Sequence, residues 1–269
     1  MTPNDPMKIS LRESSVLHFS QTLQSVQWVS GLERLCTALD IAFPPNQLIY
    51  GLENRKVVQL KDRQSYLEAV AGTRHRDLLI QSSPDRNSSV MLRGVLTDGA
   101  RLAFDFTVIA PALSWDERAR LLEVCGDAAG AFTGGLTPLF SANALYAYAN
   151  LSRPGASHVT AAPVVAALEQ ANEVLPPLQP VAIGGARSSP AQPDQLHWIN
   201  YWSAPTCELL GFPDVGRDQE WLPLARQTPA GAWLVRLTSE PFDATSSAHI
   251  GVLARAYRRF AAAGIRSAS

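Results

Sequence analysis

The stretch Leu196–Pro213, LHWINYWSAPTCELLGFP, constrains the fold more than any other part of the chain. Trp198, Tyr201 and Trp202 crowd into one short run. Strand alternation puts His197, Ile199 and Tyr201 on one side and Trp198, Asn200 and Trp202 on the other. Both rows are largely apolar, so this strand is expected to be covered on both sides, inside a sheet. Ser203 is placed to cap a following helix, and Pro205 fits its first turn. Leu209 and Leu210 supply its buried stripe, Gly211 ends it and Pro213 forbids its continuation. Large aromatics bury roughly 150–250 Å² each when covered, which makes the segment an expected nucleus of packing.

Around this segment the chain alternates between two periodicities. Ile9 and Leu11 among polar neighbours predict a short strand. From about Ser20 to Asp40 the period lengthens, and Trp28, Leu32, Leu35, Cys36 and Leu39 form one helical stripe. Leu48–Leu52 and Val57–Leu60 flank the polar loop Glu53–Lys56, the pattern of a hairpin. A helix over Arg63–Ala71 and a strand over Asp77–Gln81 follow. Val90–Leu96 and Arg101–Ile109 are joined through Asp98-Gly99, which supplies the positive φ of a tight turn. One face of this hairpin carries Arg101, Asp105 and Thr107 and is free to meet water or a partner. Ser114 and Glu117 match a capping box, predicting a helix to about Ala131.

Residues 133–160 give no single reading: TGGLTP reads as a turn, and LYAYANL fits helix or strand. Ala161–Leu175 predicts a helix stopped by Pro176-Pro177. The Ser/Pro-rich run 184–195 predicts an exposed loop, and Trp233–Thr238 a further strand. The last helix starts at Ser246 or Ser247, with the stripe Ile250, Leu253, Ala254 and Tyr257. Arg258 and Arg259 sit at its end, where the dipole favours cations. The expected class is α+β, with antiparallel sheet packed by helices on one face. It forms one domain over 1–269, with a subdivision at 184–195 (1–183 and 196–269) as the variant.

Composition excludes several functions. A net charge of −1 argues against broad electrostatic binding of nucleic acid or anionic membrane. No apolar run reaches the length of a membrane span, and the N-terminus lacks the pattern of a secretion signal. Cys36, Cys125 and Cys207 are far apart and odd in number, with neither zinc nor disulfide spacing. A cytoplasmic setting is expected, with no cofactor.

No motif carries catalysis. The five histidines form no HxH or HExxH pair, and G-x-S-x-G is absent. Ile183–Arg187 lacks the ending of a phosphate loop. Glu123 and Asp127, one helical turn apart, read as a solvated face, and no metal ligand set is visible. Only His197, inside the aromatic strand, invites a role; a packed histidine is the simpler reading, and a hydrolase-type site around it is the alternative.

Glu208, Asp214, Asp218 and Glu220 place four acids within 13 residues, opposed only by Arg217. Trp221 adjoins them. An aromatic beside a polar rim is the pattern of an interface anchor, so these five residues are the candidate partner-binding set.

The run WINYWS, then a short helix, GFPD, and later WLVRLTSEPFD before a closing helix resembles the C-terminal part of bacterial immunity proteins. These are proteins paired with restriction-endonuclease-like toxins in polymorphic-toxin and type VI secretion systems. The resemblance covers mainly residues 196–262. It implies a non-enzymatic antitoxin that binds a cognate nuclease toxin in the cytoplasm. A nuclease cleft must attract phosphate, so an acidic loop would complement it.

Overall fold

The computed structural model describes residues 15–22, 28–40, 49–54, 56–72, 77–81, 90–97, 101–108, 113–151, 157–176 and 191–264. Among them run ten strands: β1 (Ser15–Thr22), β2 (Ile49–Asn54), β3 (Lys56–Leu60), β4 (Asp77–Gln81), β5 (Val90–Thr97), β6 (Arg101–Val108), β7 (Thr133–Pro138), β8 (Ile199–Trp202), β9 (Ala225–Gln227) and β10 (Trp233–Arg236). The helices are α1 (Trp28–Leu39), α2 (Arg63–Gly72), α3 (Trp115–Ala129), α4 (Leu139–Ala149), α5 (His158–Ala171), α6 (Ala204–Leu210) and α7 (Ser247–Arg259). All ten strands pair antiparallel in one sheet, in the order β3-β2-β4-β5-β6-β1-β7-β8-β10-β9, so the fold is α+β.

Register explains which face takes the helices. Leu60, Tyr50, Ile80, Leu92, Phe106, Leu17, Leu136 and Ile199 stand opposite one another from β3 to β8. Directly paired residues share a face, which puts the buried Tyr50, Ile80, Leu136 and Ile199 on one side of the sheet. Tyr66 of α2 meets Tyr50 of that row, with ring centroids 5.3 Å apart. At the other end α3 lies over Tyr201, whose hydroxyl donates to Asp127 at 2.8 Å. Helix α1 packs against both α2 and α3, completing the layer. Its stripe of Leu32, Leu35, Cys36 and Leu39 is buried, as the helical period predicts.

At β8 the opposite face is filled as well. Trp202 is fully buried there, edge-on to Phe212 and Phe260 at centroid distances of 5.4 and 4.9 Å. Phe260 follows α7, which packs on α5. All four residues of β8 are buried, and β7 and β10 pair with its two edges, as expected for a strand apolar on both sides.

Several local readings change or are decided. Residues 20–22 belong to β1, not to the first helix, because this strand is held by pairing to the distant β6 and β7. β8 is shorter than predicted: Asn200 accepts from the His197 N–H and donates to the His197 carbonyl, both at 2.9 Å, closing a turn before the strand. TGGLTP forms β7 rather than a turn. Gly135 serves close packing, since a Cβ there would lie 1.9 Å from Cδ2 of His197. Of LYAYANL, which fitted helix or strand, Leu145–Ala149 form the end of α4, capped by Asn150. The strand predicted at Ile9–Leu11 and the body of the loop predicted at 184–195 lie outside the described residues.

Gly135→Ala is therefore expected to destabilise the protein by about 1–3 kcal/mol, the usual cost of overpacking. Adding His197→Ala should recover part of that loss in urea unfolding. A Gly135→Ala protein as stable as the parent would mean that the ring does not occupy this place.

Candidate functional site

The acidic segment is built on α6. Ser203 caps the helix, accepting from the Thr206 N–H at 3.5 Å, and Gly211 ends it at φ 63°. Asp214 then organises a turn. Its Oδ1 accepts from the N–H groups of Gly216 and Arg217 at 2.9 and 3.1 Å, and its Oδ2 pairs with Arg217 Nε at 2.6 Å. The Arg217 hydrogen bonds hold this carboxyl below its ordinary range.

Asp218 sits beneath that turn and is fully buried. Its Oδ1 lies 2.7 Å from Arg259 Nε, and its Oδ2 accepts from the Asp214 N–H at 2.7 Å. Arg259 also donates to the carbonyls of Leu210 and Gly211 at 3.1 and 2.6 Å, satisfying the end of α6. One guanidinium thus ties α7, α6 and the acidic turn together.

Two of the five candidate partner-binding residues are consequently reassigned. Asp218 is structural, and Trp221 is 3% exposed with its ring 5.2 Å from that of Phe260. Buried groups of this kind hold the loop and do not face a partner. Nor is the segment short of bases: α7 brings Arg259 to Asp218 and Arg255 to Glu220, the latter at 2.6 Å. The sequence hid this because the arginines lie more than thirty residues away, at the turn spacing of another helix.

Glu208 and Glu220 remain exposed, with Asp214 half-buried between them in sequence. Two apolar side chains join them on the surface: Leu209 is 42% and Val215 78% exposed. Val215 is the apolar tip that Trp221 was expected to be. Its only signal in the sequence is a lone valine inside the turn Asp214-Val215-Gly216-Arg217.

Other candidates have structural partners. Glu123 receives Arg226 of β9 in a two-pronged pair at 2.7 and 2.5 Å. Asp127 accepts from Tyr201, from the Thr228 hydroxyl at 2.8 Å and from the Ala230 N–H at 3.3 Å. These two acids latch the β9–β10 hairpin to α3 instead of forming a solvated face. Burial, reinforced by Asp127, raises the Tyr201 phenol well above its ordinary value. His197 is buried, with Nδ1 3.0 Å from the Thr137 hydroxyl and Nε2 3.5 Å from the Gln195 amide. All three cysteines are buried thiols, and burial pushes Cys36 and Cys207 up to about 12, far from the reactive thiolate range. Among the described residues no group of acids, histidines and cysteines is placed to hold a metal ion. No helix among them is long and apolar enough to cross a membrane.

The fold is similar to that of the Pseudomonas aeruginosa T6SS protein PA0821, with a TM-score of 0.55. Identity is 14%, and the match covers 92% of this chain and 72% of that one. No curated protein matches the sequence. A family model, described as a domain of unknown function, matches residues 23–268, nearly the whole chain. The protein belongs to that family, DUF5953.

Proposed function

We propose that the chain is an immunity protein that binds and neutralises a type VI secreted nuclease toxin in the cytoplasm of the producing cell. The observation that carries this reading is the shared fold with a protein of a type VI secretion system. Two further features support it: the resemblance of residues 196–262 to immunity proteins, and the surface on α6 and its loop. Glu208 gives that surface negative charge, Asp214 and Glu220 add carboxylates that Arg217 and Arg255 largely offset, and Leu209 and Val215 give it apolar tips. A basic, phosphate-attracting cleft is the chemistry that complements it. The buried Asp218–Arg259 pair holds the loop in place beforehand, which lowers the entropy lost on association.

Val215→Asp is expected to weaken toxin binding about tenfold or more, mainly by faster dissociation. Glu208→Lys combined with Glu220→Lys should slow association and flatten its salt dependence. Val215→Asp changes an exposed side chain and should leave the melting temperature near the parent's, whereas Glu220→Lys sets two cations together at Arg255 and should lower it slightly. Surface-plasmon kinetics against the purified product of the neighbouring gene provides the measurement. Parent-like kinetics in both variants would remove this surface, while a parent protein that fails to bind would remove the immunity reading itself.

A further inference from the structure

A cleft of about 300 Å³ opens between α3 and the last strands of the sheet. Ala119, Ile199 and Leu234 form its buried apolar floor, and Leu224 adds an apolar wall. Two guanidiniums stand at its rim, Arg226 and Arg236. They are not equivalent. Arg226 is committed to Glu123, whose side chain is only 11% exposed. Arg236 makes one hydrogen bond, from Nη2 to Asp116 at 3.1 Å, and that carboxylate is 88% exposed. Its Nε and Nη1 have no other partner among the described residues. An ion pair with so exposed an acid contributes little and exchanges readily with water.

The geometry points to a binding site for a small amphiphilic carboxylate, and we propose that this cleft takes one. The apolar tail covers Ile199 and Leu234, and the carboxylate displaces Asp116 from Arg236. Planar guanidinium donors match a carboxylate in two-pronged geometry. Asp116 lies in the first turn of α3, where helix N–H groups add to the field favouring an anion. A neutral head group on the same tail finds no such partner, and a cationic one meets only the solvent-exposed Asp116 carboxylate, a weak pair. This inference is independent of the immunity reading.

Three probes with one tail separate head-group recognition from greasiness: octanoate, octylammonium and octanol, titrated calorimetrically into the full-length protein. Octanoate is expected to bind saturably at one site, at least tenfold tighter than the other two, as for a charge-assisted hydrogen bond. Arg236→Gln should lose about tenfold in octanoate affinity. Asp116→Asn should gain affinity, because it removes the carboxylate that competes for Arg236. Both are surface changes, and a melt confirms that each variant is folded. Equal binding of the three probes, absence of saturable octanoate binding, or octanoate affinity unmoved in both variants would overturn the proposal.

Discussion

Arg259→Met is expected to cost about 3–5 kcal/mol, the range for removing one member of a buried ion pair. The side chains of the Arg259–Asp218 pair are 12% and 0% exposed, so the variant leaves a carboxylate enclosed without its cation. The guanidinium also serves the Leu210 and Gly211 carbonyls and lies over the Phe260 ring, 4.9 Å from its centroid. Its loss should loosen α6, the acidic turn and the end of α7 together. A domain is stable by only about 5–15 kcal/mol, so soluble yield should fall visibly. Adding Asp218→Asn should restore part of the loss. It removes the stranded charge, while the amide oxygen still accepts the Asp214 N–H. Urea unfolding of the parent, single and double variants measures this directly. A single variant within 1 kcal/mol of the parent would mean that Arg259 is not the tie described.

Trp202→Ala should also cost about 3–5 kcal/mol, the range for truncating a large buried aromatic. The ring is fully enclosed and meets Phe212 and Phe260 edge-on, so the neighbours cannot collapse freely into the space. Trp202→Phe should lose much less. Because Trp202 and Arg259 both rest against Phe260, their effects should not add, and a double-mutant cycle should show coupling. Trp202→Ala unfolding like the parent would place this ring outside the core.

Local chemistry made much of the fold legible. The caps at Ser114, Ser203 and Ser246 and the terminator Gly211 act through neighbours within a few residues, and each lies where its motif puts it. The apolar stripe of α1 and the burial of β8 on both faces follow equally from periodicity. Apart from the start of β8, set by the local Asn200–His197 turn, what failed was decided at long range. Nothing near Gly135 announces that the ring of His197 will cover it, so a glycine pair in a strand looks like a turn. The polar run after α6 looks like an unopposed acidic loop because its counter-ions, Arg255 and Arg259, come from the last helix. Trp221 resembles an anchor for the same reason: Phe260, which covers it, lies 39 residues on in the sequence, as the numbering shows. Val215, the apolar residue left outside, carries too little signal to compete with a tryptophan.

Neutralisation of a nuclease toxin by binding, as proposed for this protein, can be read out in one assay. The direct measurement is DNA cleavage by the purified product of the neighbouring gene, titrated with this protein and followed by size exclusion of the mixture. Cleavage should stop at a stoichiometric ratio, with the two chains eluting together. Undiminished cleavage in excess of this protein, with the two chains eluting apart, would contradict the account.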